Sequence, residues 1–201
     1  MSDLKKIAIC GAHGTGKTQI YEKVINHCLS EDRSDYNVFS RGTLAVIPEQ
    51  FREVIKDIPN FTKQTEETTL ATYAKQLYLE NLYTAQGKNI LCDRSVIDTF
   101  VYYDYFNNGN MTFRNSFLKF ENSFLKQAYI NTKMDFYSKI YLIEPSNREI
   151  ENDGFRMTDK KQQLEIHKLF LKYFEGFDNV EIVNQEKQSE IVEMIISYLG
   201  V

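Results

Sequence analysis

The octapeptide Gly11-Ala12-His13-Gly14-Thr15-Gly16-Lys17-Thr18 follows directly on a short apolar run, and no other feature constrains the fold of this chain as strongly. The pattern G-x-x-x-x-G-K-T belongs between a strand and a helix. Its glycines let backbone N–H groups curl around a phosphate, and the N-terminus of the following helix adds the positive end of its dipole. The sequence therefore predicts a phosphate loop at the carboxyl end of a strand.

The side chains of this loop have separate expected roles. Lys17 would place a positive charge on the β and γ phosphates of a nucleotide, and Thr18 would supply a hydroxyl ligand to Mg²⁺. His13 occupies a free position of the pattern, and we expect it to be a bystander. The residues assigned to nucleotide binding here are Gly11, Gly14, Thr15, Gly16, Lys17 and Thr18.

Short apolar runs alternate with longer segments of helical pattern along the chain. The runs do not alternate between polar and apolar residues, which is typical of strands buried on both faces of a parallel sheet. The predicted strands are Lys6–Cys10, Leu44–Ile47, Asn89–Cys92, Lys139–Ile143 and Val180–Val183. The predicted helices are Lys17–Leu29, Glu49–Lys56, Glu66–Ala85, Ser95–Phe106, Phe113–Ile130, Thr158–Phe174 and Ser189–Leu199. We expect an α/β fold of the P-loop NTPase type, a three-layer sandwich with a five-stranded parallel sheet, helices on both faces and a lid loop.

Length and composition indicate one ordinary soluble domain over residues 1–201. Because 24 basic residues stand against 28 acidic ones, no global positive field attracts nucleic acid or a membrane surface. The apolar runs are too short for a membrane span or a signal peptide. Three cysteines, Cys10, Cys28 and Cys92, show no C-x-x-C spacing and indicate neither a disulfide framework nor a zinc site. We expect a cytoplasmic protein with no membrane partner.

The residues after the third predicted strand separate the classes of nucleotide-dependent protein. A motor ATPase usually carries Asp-Glu there, with the Glu polarising water, whereas this chain has Asp93-Arg94-Ser95. An arginine at that position suits an enzyme that transfers phosphate to an acceptor other than water. A formal match to the GTPase pattern [NT]-K-x-D at residues 132–135 follows a predicted helix and has no accompanying D-x-x-G, which disfavours a GTPase.

Four stretches of the chain resemble the P-loop nucleoside and nucleotide kinases, above all the nicotinamide riboside kinase-like group. They are the phosphate loop, Val46-Ile47-Pro48-Glu49-Gln50-Phe51-Arg52-Glu53, Cys92-Asp93-Arg94-Ser95-Val96-Ile97-Asp98-Thr99 and Asn152-Asp153-Gly154-Phe155-Arg156. The second and third are also similar to motifs of deoxynucleoside kinases, and the Asp-Arg pair is similar to that of thymidylate kinases. The resemblance implies ATP as donor, Mg²⁺ as cofactor and a nucleoside-like or nucleotide acceptor, with a nucleoside hydroxyl favoured.

The resemblance also implies roles at the carboxyl ends of the predicted strands, where a doubly wound sheet binds its ligand. Asp93 is expected to hold the Mg²⁺ shell through water, and Glu49 to orient and deprotonate the acceptor hydroxyl. Arg94 would face the acceptor oxygen or an acceptor phosphate. Plainer alternatives stay open, namely ion pairs among these residues, or a helix-start carboxylate at Glu49 that pairs with Arg52.

Other candidate acceptor contacts lie close to these motifs. Arg52, Asp98 and Tyr102 are assigned to the acceptor site, with Tyr102 lining the pocket. The spacing Ser95-x-x-Asp98 also fits a variant of the capping box at a helix start, and we favour that interpretation for Asp98 over a substrate contact.

A loop rich in basic residues lies between the fourth predicted strand and the next helix, at about 144–161. It carries Arg148, Arg156, Lys160 and Lys161, and the resemblance implies a mobile lid whose arginines neutralise the transferring phosphoryl group. Arg156 is the preferred catalytic arginine, and Arg148 a nucleotide contact. The alternative is a solvated basic loop.

Two other functions stay open at this point. One is a kinase that acts on a polynucleotide end or on a modified base in DNA, which the net charge of -4 disfavours without excluding, because a groove needs only a few basic side chains. The other is a non-catalytic switch that binds ATP and acts through a partner. A homo-oligomer is common among kinases of this kind, and the oligomeric state is left open.

Overall fold

The computed structural model describes residues 4–29, 44–56, 58, 65–106, 136–146 and 159–200. In these ranges the predicted strands are confirmed as β1 Lys6–Cys10, β2 Leu44–Ile47, β3 Asn89–Asp93, β4 Lys139–Glu144 and β5 Val180–Asn184. They form one parallel sheet in the order β2-β3-β1-β4-β5. The last three strands each end one residue later than predicted, because polar end residues still take part in the sheet: Asp93 lies opposite Ile9, and Glu144 opposite Asn184.

Six α-helices lie in the described ranges: α1 Lys17–Leu29, α2 Gln50–Ile55, α3 Glu66–Ala85, α4 Val96–Phe106, α5 Lys160–Tyr173 and α6 Gln188–Leu199. The predicted bounds of α1 and α3 are confirmed. Helix α5 begins at Lys160 rather than at Thr158, because the side chain of Asp159 caps it by accepting a 2.8 Å hydrogen bond from the Lys161 N–H. The predicted helix at Phe113–Ile130 lies outside the described residues.

The segment between β4 and α5 is shorter than the predicted lid of residues 144–161. Glu144 is still part of β4, while Lys160 and Lys161 form the first turn of α5, so neither lysine belongs to the loop. The prediction was wrong at both ends because sheet pairing and an N-cap extend the neighbouring elements. Arg148, Arg156 and the formal GTPase match at residues 132–135 lie outside the described residues.

The sheet is covered on both faces, as predicted. Strand β1 is buried along its whole length, and its alternate side chains enter two different cores. Ala8 and Cys10 pack toward α3, α4 and α5, whereas Ile7 and Ile9 pack toward α1 and α6. The three-layer α/β sandwich follows from this division. No helix in the described part of the chain combines the length and apolar character needed to cross a membrane.

The strand order fixes the position of the ligand crevice. From β1 the chain runs outward to β2 and returns to β3 on one side of β1, and it then crosses to β4 on the other side. Ligands of open parallel sheets bind at the carboxyl ends of the strands beside such a reversal. The loops after β1, β2 and β3 meet there, and they carry the phosphate loop, Glu49 and the Asp93-Arg94 pair.

Candidate nucleotide and acceptor site

The phosphate loop departs from the sheet at Gly11, a position that only glycine fits. Its φ of +136° lies in a region that side chains rarely adopt, and an added Cβ would stand 2.8 Å from the carbonyl oxygen of Ile143 in β4. Gly14 and Gly16 also have positive φ angles, of 69° and 76°. The Ile20 N–H then donates to the Gly16 carbonyl at 3.1 Å, which starts helix α1. The predicted strand, loop and helix are thus all present.

Lys17 is folded back onto the loop. Its Nζ donates to the Ala12 carbonyl at 2.5 Å and to Thr15 Oγ1 at 3.1 Å, and only 5% of the residue is exposed. Burial, reinforced by the positive charge of Arg94, lowers the pKa of Lys17 to about 7, although the carboxylate of Asp93 partly opposes the shift. An anion placed in the loop would reverse this cost, so the charge of Lys17 is adapted to a bound phosphate.

Thr18 and Asp93 bring two oxygen ligands together at the end of β3. Thr18 Oγ1 donates to Asp93 Oδ2 at 3.0 Å, and Asp93 is 3% exposed. Its other oxygen, Oδ1, is buried and accepts no hydrogen bond from the residues that the structure describes. Burial, together with the negative charge of Glu49, raises the pKa of Asp93. A carboxylate and a hydroxyl beside a phosphate loop are ligands that Mg²⁺ prefers, so these residues fit the predicted metal.

Arg94 links the separate parts of the site. Its Nε donates to Glu49 Oε1 at 2.6 Å, while Nη1 lies 3.2 Å from Asp98 Oδ1 and 3.4 Å from the Gly11 carbonyl. The guanidinium carbon is 5.0 Å from the centre of the Tyr102 ring, a cation–π distance. The backbone of Arg94 has φ +84°, which is unusual for a residue with a side chain and often accompanies a functional role.

Glu49 is held by two arginines rather than by a helix end. Arg52 Nε donates to Glu49 Oε2 at 3.0 Å, while Arg94 occupies the other oxygen. Although Glu49 is the N-cap residue of α2, its side chain accepts no capping hydrogen bond. Burial alone would raise the pKa of Glu49, but the charges of Arg94 and Arg52 lower it below the ordinary value. The carboxylate is therefore ionised at neutral pH.

Asp98 has the local role that the sequence favoured. Its Oδ2 accepts hydrogen bonds from the N–H and the hydroxyl of Ser95, both at 2.9 Å, and the Ile97 N–H donates to Ser95 Oγ at 3.2 Å. This confirms the predicted capping arrangement at the start of α4. Asp98 is 1% exposed and also holds Arg94, so its predicted contact with the acceptor stays a prediction.

Sequence reasoning missed a buried network that supports the turn between β3 and α4. The Tyr137 hydroxyl donates to Glu80 Oε1 at 2.7 Å and accepts the Val96 N–H at 3.0 Å. Gln76 Nε2 donates to the same Glu80 oxygen at 2.8 Å and lies 3.4 Å from the carbonyl of Arg94. These side chains hold the backbone on both sides of Ser95 from within the core.

Glu80 itself is completely buried, and burial raises its pKa, although Lys6 Nζ lies 3.5 Å from its Oε2. The sequence contains a signal for this network. Gln76 and Glu80 follow Tyr73 by three and seven residues, a spacing that places all of them on one face of α3. Polar residues on an apolar helical face indicate buried partners.

Comparison with known proteins supports the fold. A family model described as an AAA domain matches residues 6–189. A search of curated proteins found no match. Among solved structures, the crystal structure of NadR protein in complex with NR matches with a TM-score of 0.63 and 18% sequence identity, over 98% of this chain and 52% of that chain. This chain thus spans about half the length of the NadR chain, and at this identity the similarity shows the α/β P-loop fold.

Proposed function

We propose that this chain, which belongs to the AAA-domain family of P-loop proteins, is an ATP- and Mg²⁺-dependent kinase acting on a nucleoside-like acceptor. A hydroxyl is favoured over a phosphate as the accepting group. One observation carries this proposal: the side chain of Arg94 contacts both Glu49 and the Gly11 carbonyl. A carboxylate suited to an acceptor hydroxyl therefore lies beside the loop suited to the donor phosphates. The fold similarity to NadR protein, solved with NR, supports the nucleoside class.

On the donor side, the loop N–H groups and Lys17 bind the β and γ phosphates. The phosphates replace Ala12 and Thr15 as partners of Lys17 Nζ, and their negative charge keeps this amine protonated. Thr18 and Asp93 would hold Mg²⁺, which supplies charge neutralisation on the phosphate oxygens when bound. The positive charges of Lys17 and Arg94 act on the same oxygens.

On the acceptor side, ionised Glu49 accepts a hydrogen bond from the attacking hydroxyl. The hydroxyl oxygen forms a bond to the γ phosphorus, the bond from this phosphorus to the β–γ bridging oxygen breaks, and the hydroxyl proton passes to Glu49. The lowered pKa of Glu49 makes it a weak base. It therefore mainly orients the hydroxyl and receives the proton late, as suits a loose phosphoryl-transfer transition state.

Arg94 also accounts for transfer to an acceptor rather than to water. It follows Asp93 directly and pairs with Glu49, so an arginine stands at the position where a hydrolase would keep a water-activating carboxylate. We further assign Arg156 to the transferring phosphoryl group and Arg148 to the nucleotide, on the sequence resemblance alone. Residues 1–201 would form one cytoplasmic kinase domain.

A transfer assay tests the proposed function. The protein, Mg²⁺ and ATP labelled on the γ phosphate are incubated with nucleosides, nicotinamide riboside, nucleoside monophosphates or DNA ends, and label transfer is followed. We expect transfer to a nucleoside, with much slower release of inorganic phosphate when no acceptor is present. Lys17→Ala should abolish transfer. Glu49→Gln should slow it strongly, whereas Glu53→Gln, on the exposed side of the same helix, should leave it unchanged.

Three outcomes would contradict parts of this proposal. Tight ATP binding with no transfer to any acceptor would indicate a regulatory switch. Label transfer to DNA alone would move the activity to a polynucleotide substrate. Unchanged transfer in Glu49→Gln would exclude this carboxylate as the base, while the kinase class would stand.

A further inference from the structure

The carbonyl groups of the phosphate loop have a donor at each position from Gly11 to Gly14. The Gly11 carbonyl accepts from Arg94, and the Ala12 carbonyl accepts from Thr15 and Lys17, all of which already belong to the site. The next two carbonyls are different, because their donors come from distant parts of the chain. Gln163 Nε2 donates to the His13 carbonyl at 2.7 Å, and Gln185 Nε2 lies 3.4 Å from the Gly14 carbonyl.

These contacts matter because a trans peptide unit points its C=O and its N–H in opposite directions. The His13 carbonyl shares a peptide plane with the Gly14 N–H, and the Gly14 carbonyl shares one with the Thr15 N–H. A donor that holds a carbonyl on the outer side of the loop therefore points the N–H of the same peptide unit toward the inside of the loop, where a phosphate would bind. Gly14, with φ +69°, gives the flanking peptides freedom to rotate unless something holds them.

Both glutamines are buried and hydrogen-bonded within the fold. Gln163 is completely buried in the first turn of α5, where its backbone N–H donates to the Asp159 carbonyl at 3.1 Å. Gln185 is 6% exposed in the helical turn before α6, and its Oε1 accepts the Ser146 N–H at 3.0 Å. A buried amide that gives up such a bond leaves an unsatisfied polar group, so each contact is costly to break.

We propose that Gln163, assisted by Gln185, is a positioning residue for the phosphates of the bound nucleotide. It holds the His13–Gly14 peptide so that the Gly14 N–H faces the phosphate, and Gln185 does the same for the Thr15 N–H. The ligand class is a di- or triphosphate chain. This inference deepens the proposed function by assigning the groups that shape its donor site, and it concerns phosphate binding alone.

Inorganic tripolyphosphate is the probe, because it carries no base or sugar. Gln163→Met keeps the length of the side chain and removes the donor, and we expect the Kd for tripolyphosphate to rise about tenfold. Gln185→Met, which loses a longer bond, should weaken binding about threefold. Gln162→Met, at the adjacent half-buried position of α5, is the matched control and should bind as the wild type does.

Backbone NMR separates a positioning role from a merely structural one. In the wild type, tripolyphosphate should shift the Gly14 amide proton downfield, and in Gln163→Met this shift should be lost while the amide shifts in the β-sheet stay native. Unchanged tripolyphosphate affinity in a natively folded Gln163→Met protein would overturn the proposal.

If Gln163→Met does not fold, hydrogen exchange in the wild-type protein tests the role of Gln163 instead. The Gln163 side-chain amide protons should be protected from solvent exchange with and without tripolyphosphate, and fast exchange in the bound form would refute the assignment. If Gln163→Met weakens tripolyphosphate binding as expected but the wild type transfers no label to any acceptor, the proposed kinase activity is disproved and the positioning role of Gln163 stands.

Discussion

The buried charge of Lys17 predicts that nucleotide binding takes up a proton. In the folded chain without nucleotide the pKa falls from 10.5 to about 7. At about 1.36 kcal/mol for each pKa unit, burial in the site disfavours the charged form of the Lys17 amine by roughly 5 kcal/mol relative to water. Phosphates bound against Nζ would return the pKa toward its ordinary value, so binding and protonation are linked.

The size of the uptake follows from the lowered pKa. At about pH 8 only a tenth of the free protein carries the Lys17 proton, so binding takes up about 0.9 proton, falling to about 0.5 near pH 7 and toward zero below pH 6. Isothermal titration calorimetry with ADP, repeated in Tris and HEPES buffers, measures this number. EDTA in both buffers excludes Mg²⁺, so that no metal displaces a proton from Asp93 during the measurement.

Lys17→Arg is the matched control, since a guanidinium stays charged throughout this range and should show no uptake. Uptake below about 0.2 proton at pH 8 in the wild type, or equal uptake in Lys17→Arg, would refute the linkage. The same lowering affects stability. Unfolded Lys17 keeps its proton up to about pH 10 while the folded form loses it near pH 7, so the free energy of unfolding should rise with pH between these values.

Three further changes test the fold by thermal or denaturant unfolding. Gly11→Ala should cost at least about 2 kcal/mol, because the new Cβ meets the Ile143 carbonyl, whereas Gly87→Ala, which has the same kind of φ angle but open space, should cost only about 1 kcal/mol. Phe170→Ala should cost about 3 to 5 kcal/mol and the exposed neighbour Leu171→Ala less than about 1, and equal losses would contradict the assigned core. Thr65→Ala removes the N-cap of α3 and should cost about 1 kcal/mol, with an unchanged midpoint arguing against the capping box.

Local signals explain which parts of this fold the sequence predicts well. Strands buried on both faces produce short apolar runs, and the ladder pairs extend only as far as Asp93 and Glu144, one residue past those runs. The phosphate loop is predictable because its glycines and Lys17 are required by its geometry. Thr18 and Asp93 meet because Asp93 ends β3 and the phosphate loop brings Thr18, at the start of α1, to the same edge of the sheet.

The rest depends on contacts between distant residues, which local patterns do not encode. Nothing near Gln163 indicates that its amide reaches a loop 150 residues earlier in the chain. Glu49 was predicted to face an acceptor, with ion pairs to Arg94 or to Arg52 as separate alternatives, whereas the structure shows both arginines at once, each on one carboxylate oxygen. The predicted bounds of the lid differ from the structure for a related reason. Strand pairing keeps Glu144 in β4, and the cap at Asp159 starts α5 at Lys160.

The central place of β1 has a consequence for biosynthesis. This strand lies between β3 and β4, but a ribosome makes it well before residues 89–93 and 139–144 that flank it in the sheet. Until then Ile7 and Ile9 belong to a strand with open edges, the kind of segment that associates with other nascent chains. Soluble yield should therefore depend on chaperone capacity and on a low expression temperature more than the modest length of the chain suggests.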